Sequence, residues 1–344
     1  MKRKKIFLGG YINHINAQNI NCKSVSYHLN KDIFNVKTLI LGKRNIPIIE
    51  GVSYYKVSTF LYYISNTIAF IKGVIWADVC YFPKHHSTSI IALKIAPFFK
   101  TKIFTTIEGN MCDTRRRNMI NSFGDLENMK QYFSLIPNIF GITDYIINRA
   151  NCGINIEKYP LYLGVEKDNF HAKKKVELKN IVFIGSLVKT KEIDEFLKLA
   201  ILFPSLIFNI VGDGPLKEEL KLASTSNVVF HDKLNHNDLS ALLNYMDLHF
   251  LPSKSEGFPK VVLETASASI PSVLYDTYGA SNWISDNKNG FIVSNFFQVE
   301  KILRQLVCNP KLLQDCSEKV LELASKFNWK IIIHDWEKKI NNLR

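Results

Sequence analysis

The sequence predicts an α/β protein made of two Rossmann-like, doubly wound domains. Short apolar runs typical of strands alternate with helical segments in both halves of the chain, and this alternation favours parallel sheets with helices on both faces. The chain has 344 residues, which is enough for two domains of ordinary size. Hydrophobic residues make up 47% and charged residues 22%, as in soluble globular proteins.

The first half contains a regular alternation of predicted elements. The predicted strands are 5–8, 34–41, 79–82 and 102–106, the helices are 17–29, 58–77 and 88–98, and 140–145 is a last strand with a helix start. Asn66 and Lys72 interrupt the apolar segment 58–77, whereas a membrane span needs about 20 largely uninterrupted apolar residues. We therefore expect a buried or interfacial helix there, and a first domain of residues 1–165.

The second half repeats the same pattern. Its predicted strands are 181–185, 206–211, 228–231, 248–251, 272–275 and 290–293, and its helices are 192–203, 216–223, 237–244 and 260–269. A terminal helix is predicted over 329–343, because its apolar residues recur at helical spacing. These elements predict a second domain of residues 166–325 and a C-terminal helical segment of residues 326–344.

The most informative stretch is the strand, loop and helix of residues 248–269. A loop from Pro252 to Pro259 leads into a helix start, where free backbone N–H groups and the helix dipole favour an anion. Glu256 in the loop and Glu264 in the helix would repel a phosphate unless they bind hydroxyl groups. A nucleotide-sugar has a diphosphate between two hydroxyl-bearing sugars, so this stretch predicts a nucleotide-sugar site.

Glu256 and Glu264 resemble the E-x7-E signature of retaining glycosyltransferases of the GT-B fold, glycosyltransferase family 4 (glycosyl transferases group 1). Segments 181–191, 210–216 and 276–291 resemble further motifs of that family, in the same order. The resemblance covers residues about 140 to 340. It implies two Rossmann-like domains that face a cleft, with the C-terminal helix crossing back onto the N-terminal domain.

The resemblance also implies roles for individual residues. The first domain would bind the acceptor and the second the nucleotide-sugar. Lys191 would stabilise the charge that develops on the leaving diphosphate, Glu256 would bind sugar hydroxyls, and Glu264 would bind the ribose. The implied donor-binding residues are Gly10, Gly185, Ser186, Lys191, Gly212, Asp213, Glu256, Gly257, Phe258, Pro259 and Glu264.

Several of these positions have a structural alternative. Gly10 lies in a predicted loop behind the first strand, where an ordinary turn is an equal interpretation. The turn 212–215 is as compatible with a structural role as with nucleotide contact, and Lys191 could be an exposed lysine.

The chain departs from the family pattern at two positions. Ser186 stands where the family has an arginine, so a hydroxyl replaces a cation. Either Lys189 or an arginine of the first half substitutes for it, or turnover is slow. Glu108 stands near the usual position of a histidine, and we predict for it an acceptor-binding or catalytic role.

The segment 84–86 after the third strand is interpreted as a polar loop, with a binding role as the alternative. The arginine run 115–117 is either a phosphate contact or a solvated loop.

Charge is distributed unevenly along the chain. The net charge is +13, and residues 1–165 contain 21 Lys/Arg against 9 Asp/Glu, a net charge of +12. This asymmetry favours an anionic membrane surface as a partner, with a generally lysine-rich composition as the alternative. No recognition motif supports nucleic-acid binding.

The N-terminal sequence and the cysteines predict the compartment. Only three apolar residues follow the basic N-terminus, too few for a signal peptide. The six cysteines form no C-x-x-C pair, which favours a reduced, cytoplasmic protein. A peripheral position at the inner face of the plasma membrane is the variant of this location that the charge favours.

The predicted function is transfer of a hexose from a UDP- or GDP-linked sugar to a hydroxyl of a glycan, with retention of configuration. A lipid-linked glycan acceptor in surface polysaccharide (O-antigen, capsule or lipopolysaccharide) biosynthesis is expected. No Asp-x-Asp motif or metal-ligand spacing is present, so we expect no metal and no cofactor besides the nucleotide-sugar co-substrate. The alternatives are a nucleotide-sugar epimerase or phosphorylase of the same fold, and a non-catalytic nucleotide-sugar-binding subunit.

Overall fold

The computed structural model describes residues 2–14, 16–43, 45–85, 88–112 and 119–344. His86 and the arginine run 115–117 therefore lie outside the described residues. The chain divides into two compact units, the first being Met1–Leu163 with Trp329–Arg344 and the second Gly164–Asn328. The domain limits predicted from the sequence were 165 and 325.

The two units contain twelve described strands and thirteen described α-helices. The strands are β1 Lys4–Tyr11, β2 Phe34–Leu41, β3 Val52–Val57, β4 Val79–Tyr81, β5 Lys102–Ile107, β6 Asn138–Gly141, β7 Asn180–Ile184, β8 Ile207–Val211, β9 Val228–His231, β10 Leu248–Leu251, β11 Ser272–Tyr275 and β12 Phe291–Val293. The helices are α1 Ala17–His28, α2 Tyr62–Trp76, α3 Ile90–Ile95, α4 Met119–Ser122, α5 Leu126–Ser134, α6 Asp144–Asn148, α7 Asp194–Leu202, α8 Lys217–Leu222, α9 His236–Leu243, α10 Lys260–Ser267, α11 Phe296–Cys308, α12 Pro310–Lys326 and α13 Trp329–Asn341.

The first unit is built on a six-stranded parallel sheet with the order β3-β2-β1-β4-β5-β6. The strands of its centre are apolar and buried, as parallel strands covered on both faces must be. Strand order reverses between β1 and β4. In open parallel sheets ligands bind beyond the carboxyl ends of the strands at such a switch point.

The second unit has its own six-stranded parallel sheet, with the order β12-β11-β10-β7-β8-β9. Counted within the unit, this order is the same as in the first sheet, and the switch point lies between β7 and β10. Both units therefore have the predicted Rossmann-like, doubly wound topology.

The C-terminal helix α13 packs within the first unit, as the sequence resemblance implied. The indole N–H of Trp336 donates to the carbonyl of Tyr162 at 2.9 Å, and the Trp329 ring stacks on His28. Both tryptophans are fully buried. Burying two such side chains anchors the helix far more strongly than its exposed lysines do.

Two features of the first unit differ from the sequence prediction. Strand β3 was not predicted, because it is an edge strand in which polar and exposed residues interrupt the apolar pattern. Gly10 was predicted in a loop but lies inside β1. A Cβ at Gly10 would lie 2.6 Å from the Cys22 sulfur, so close packing of α1 on the strand requires a glycine there.

The prediction that the cysteines are reduced is wrong for one pair. Cys112 and Cys152 form a disulfide, with Cα atoms 5.5 Å apart. Their separation of 40 residues gave no signal in the sequence, because the fold alone brings them together. Among the described residues, no helix combines the length and the apolar character needed to cross a membrane.

Candidate functional site

Two of the predicted site residues of the second unit, Lys191 and Glu256, meet at the carboxyl edge of its sheet. Lys191 ends a short 3-10 helix, Lys189–Lys191, that follows β7. The neighbouring strand β10 leads into the loop that contains Glu256. The buried Ser253 hydroxyl donates to the carbonyl of Thr190 at 3.4 Å and ties the two loops together.

Lys191 and Glu256 form an ion pair between these loops. The ammonium of Lys191 donates a hydrogen bond to Oε1 of Glu256. Their side chains are only 25% and 13% exposed, so solvent screens the pair less than it screens a surface pair. An ammonium and a carboxylate are thus held together at the switch point, one suited to a diphosphate and the other to hydroxyl groups.

The glycines of the site bring two loops into backbone contact. The N–H of Leu187, after β7, donates to the carbonyl of Asp213, after β8, at 2.9 Å. Gly212 has a φ of 149°, and a Cβ there would lie 1.9 Å from the carbonyl oxygen of Gly185. The packing of the loops therefore explains Gly212 without reference to a ligand, although contact with a nucleotide stays a prediction.

Ser186 and Asp213 are not drawn into the ion pair. Ser186 is exposed beside Gly185, and Asp213 is exposed and accepts a hydrogen bond from its neighbour Gly214 N–H at 2.9 Å. The Asp213 carboxylate also lies 3.9 Å from the ammonium of Lys217. Their donor contacts remain predictions.

Helix α10 begins at the predicted anion site. Its N-cap is Pro259, which makes no side-chain capping hydrogen bond. The Phe258 side chain is not exposed at this helix start, because it is buried against Trp283 and Phe327. Phe258 therefore anchors the loop, and only the backbone of Gly257 and Phe258 is left to line a donor.

Glu264 lies in the second turn of α10 with 14% of its side chain exposed. Burial raises the pKa of the Glu264 carboxyl, and nearby His236 and Lys260 partly oppose this shift. Nδ1 of His236, the first residue of α9, lies 4.0 Å from Oε1 of Glu264. The sequence did not indicate His236, since 28 residues separate it from Glu264 and only the fold brings them together.

Two further groups near the site were missed from the sequence. Glu195 accepts hydrogen bonds from Lys254 at 2.9 Å and from the hydroxyl of Tyr275 at 2.5 Å, linking α7 to the site loop and to β11. The buried Tyr278 hydroxyl has no hydrogen-bond partner among the described residues. Burial, reinforced by the Glu256 carboxylate, raises the pKa of Tyr278 well above its usual value.

The corresponding edge of the first unit carries a different polar cluster. Glu108 follows β5 and accepts a hydrogen bond from Nδ2 of Asn21 at 3.1 Å, while Oδ1 of the fully buried Asn21 has no partner among the described residues. Lys84 follows β4, and its ammonium lies 4.9 Å from the ring centre of Tyr11. Burial lowers the pKa of Lys84.

Lys84 and His85 lie in a loop, as the sequence indicated, but the His85 side chain is not on the surface of the unit. This side chain is buried, its Nε2 lies 2.8 Å from the Thr105 hydroxyl, and its ring meets that of Phe133 edge to face. His85 is therefore part of the core of the first unit. Gly10 also packs inward, against Cys22, and this packing gives no support to its predicted donor contact.

The architecture is that of the GT-B fold, with two Rossmann-like units. The chain superimposes on the structure of Anabaena Alr3699/HepE in complex with UDP-glucose with a TM-score of 0.77 and 14% sequence identity, covering 98% of this chain and all of that one. At this identity the similarity shows the fold alone.

Sequence comparisons concern mainly the second unit. Residues 165–322 match the model of the family described as glycosyl transferases group 1. An uncharacterized glycosyltransferase of Haemophilus influenzae is 31% identical over 47% of this chain and 49% of its own length. Alpha-galactosylglucosyldiacylglycerol synthase of Streptococcus pneumoniae is 23% identical over 87% of this chain and 79% of its own length. The chain spans about half the length of the first curated relatives it matches. Together the comparisons support a glycosyltransferase of the GT-B fold.

Proposed function

We propose that the protein transfers a hexose from a UDP- or GDP-linked sugar to a hydroxyl of a lipid-linked glycan, with retention of configuration, in surface polysaccharide biosynthesis. The observation that carries this proposal is the Lys191–Glu256 ion pair at the switch point of the second sheet, within the segment that matches the family model. The glycolipid named for the Streptococcus pneumoniae relative and the UDP-glucose of the Anabaena structure are in line with the proposed acceptor and donor.

Each group of the pair has a distinct role in this proposal. When the donor binds, the Lys191 ammonium exchanges its contact with Glu256 for one with the diphosphate. Negative charge increases on the diphosphate as the glycosyl bond breaks. The carboxylate of Glu256 then accepts hydrogen bonds from sugar hydroxyls. The uncapped start of α10 supplies backbone N–H groups to the same anion.

Glu264 and His236 hold the other end of the donor. The Glu264 carboxylate accepts from the two ribose hydroxyls, since its two oxygens suit a vicinal diol. A protonated His236 at 4.0 Å favours the charged form of Glu264 and keeps it an acceptor. No metal enters the proposal, so we expect EDTA to leave turnover unchanged.

The first unit holds the acceptor in this proposal. The Glu108 carboxylate accepts hydrogen bonds from sugar hydroxyls, while the buried amide of Asn21 donates to Glu108 and holds it in place. Retention places the incoming acceptor hydroxyl on the same face of the sugar as the leaving diphosphate. The anomeric configuration of the product, measured by NMR, tests this point directly.

The test begins with a thermal-shift screen of nucleotide-sugars, because a ligand that binds only the native state raises its stability in proportion to the logarithm of its concentration over Kd. The best donor is then used to measure hydrolysis and transfer by the unmodified protein, by Lys191→Ala and by Glu256→Ala. Lys198→Ala, an exposed lysine of α7, is the matched control. Unchanged donor binding and activity in both site variants would remove the assignment.

Ser186 motivates one alternative, a binding subunit without turnover. The side chain is exposed and uncharged, whereas the resembling family has an arginine there. Saturable nucleotide-sugar binding with neither hydrolysis nor transfer to any lipid acceptor would favour this alternative. Conversion of a nucleotide-sugar to its epimer without an acceptor would instead indicate an epimerase.

A further inference from the structure

The first unit has a basic cavity at the carboxyl ends of β2 and β3, away from the polar cluster of Glu108. Its volume is about 780 Å³, within the range of small-ligand sites. The residues that line it are two lysines, three hydroxyl residues, the last residue of β2 and the glycine after it: Lys43, Lys56, Ser58, Thr59, Ser65, Leu41 and Gly42. Neither Lys43 nor Lys56 forms an ion pair with a carboxylate in the part of the chain that the structure describes.

An apolar face lies directly beside this cavity. The chain passes from Thr59 in the cavity wall into helix α2, whose exposed apolar residues are Tyr63, Ile64, Ile68 and Ile75. Phe60, at the entry to the helix, is 92% exposed and Tyr63 is 84% exposed. We call Phe60, Tyr63, Ile64 and Ile68 the apolar face.

A neighbouring element extends this surface. Helix α3 packs against α2 and exposes Ile90 and Ile91, and Phe98 after it is 85% exposed. Single exposed apolar residues are ordinary, but a contiguous set on packed helices marks an interaction surface.

Charge indicates what covers this face. The first unit contains 25 Lys/Arg against 11 Asp/Glu, a net charge of +14, whereas the second contains 19 against 20, a net charge of −1. Lys56, Lys72 and Lys94 are exposed on or beside the helices that form the face. An apolar helix face next to lysines is typical of a helix that lies in the interface of an anionic membrane.

We propose that this surface docks on a bilayer that contains anionic phospholipid. The apolar face lies among the acyl chains near the headgroups, and the cavity takes a lipid phosphate between Lys43 and Lys56. The proposal rests on the surface of the first unit and not on the donor site of the second. The net charge favours an anionic membrane as a partner, and this proposal adds which surface of the first unit makes the contact.

Vesicle flotation of the full chain tests the proposal. We expect binding to vesicles with about one-third phosphatidylglycerol to exceed binding to phosphatidylcholine vesicles by about tenfold, and to fall as salt rises. Ile64→Glu with Ile68→Glu removes the apolar contact and is expected to lower the bound fraction about tenfold. Lys43→Glu with Lys56→Glu is expected to abolish the preference for anionic vesicles.

Matched controls come from the second unit. Ile201→Glu with Ile207→Glu changes apolar residues of similar exposure, and Lys233→Glu with Lys288→Glu changes exposed lysines. Both controls should bind vesicles like the unmodified protein, and all variants should keep the thermal shift with the donor. That shift shows that the variants are folded, and it separates failure of this proposal from failure of the transferase assignment.

Three outcomes would overturn the proposal. The first is absence of binding to anionic vesicles, and the second is binding that persists in the Ile64→Glu, Ile68→Glu variant. The third is a lipid-free dimer that this variant dissociates without any vesicle binding, which would assign the face to a second copy of the chain. In the first case, a thermal shift with glycerol phosphate, the soluble probe, would show that the cavity binds a free phosphate group and that the surface does not dock on a bilayer.

Discussion

The two sheets have the same strand order but carry different chemistry at the same edge. In the second unit, the loops after β7 and β10 are joined by the Lys191–Glu256 ion pair. In the first unit, Glu108 is held by the amide of Asn21, and Lys84 lies over the ring of Tyr11. Shared topology therefore determines where ligands bind, whereas the loop residues determine which ligand binds.

Backbone packing differs between the two edges as well. At Gly212 in the second unit, a Cβ would meet the carbonyl oxygen of Gly185 at 1.9 Å, whereas a Cβ at Gly109 in the first unit would meet nothing within 4 Å. The edge of the second unit is therefore tightly built, and the edge of the first leaves room beside Glu108.

The largest expected effect tests this difference in packing. Gly212→Ala combines a backbone clash with a positive φ, so we expect the free energy of unfolding to fall by about 4 kcal/mol. Gly109→Ala is the control and should change it by less than about 0.5 kcal/mol. Urea unfolding gives the stability, and hydrogen exchange in β7 and β8 locates the loss. Equal unfolding midpoints for the two variants would show that the loops of the second unit relax freely.

How well the strands could be predicted from the sequence depends on their burial. Strands β10 and β11 were predicted with the residues they have in the structure, since short apolar runs with clear turns on both sides specify buried parallel strands. Edge strand β3 was missed, because its residues alternate between half-buried and exposed. Helices α4, α5, α11 and α12 were not assigned either.

The same distinction holds for the candidate site. Glu256 was found because a local strand-loop-helix pattern marks it, and Lys191 because its segment resembles a family motif. Asn21 and His236 were missed, because their relevance depends on contacts with Glu108 and Glu264 over 87 and 28 residues of sequence. Local patterns therefore indicated single residues, but the partners of those residues required the fold.

The next prediction compares a lysine from each edge. Lys191→Ala should lower kcat about a hundredfold, or about 2.7 kcal/mol, because a fixed cation on the leaving diphosphate acts mainly in the transition state. Lys84→Ala should leave the donor KM unchanged and act on the acceptor instead. Steady-state kinetics with each substrate varied in turn distinguishes the two. A hundredfold loss of kcat in both variants would mean that donor and acceptor are not bound separately by the second and the first sheet edge.

A buried histidine gives the second unit its own pH dependence. His249, in β10, is fully buried with Nδ1 2.9 Å from the Ser272 hydroxyl, and burial lowers the pKa of His249 to about 3 from 6.5. Between these values the unfolded chain binds a proton that the native state does not, so stability is lost as pH falls below 6.5. We expect a loss of about 2 kcal/mol between about pH 7.5 and pH 5.

Urea unfolding at the two pH values measures this loss. A His249→Gln variant should lack that part of the pH dependence, whereas the exposed His171→Gln should retain it. If the His249 variant keeps the full pH dependence, other groups are responsible for the acid sensitivity of the second unit.

The smallest expected effect separates the two carboxylates. Glu108→Gln keeps the shape and one acceptor oxygen but removes the charge that receives acceptor hydroxyls, so we expect the acceptor KM to rise about tenfold, or about 1.4 kcal/mol, with the donor KM unchanged. Glu256→Gln should do the reverse, raising the donor KM. Because the amide of Asn21 donates to Glu108, Asn21→Leu should reproduce the Glu108 effect more weakly. An increase of the donor KM in Glu108→Gln would place this carboxylate with the donor sugar, and the division of labour between the two sheet edges would then be wrong.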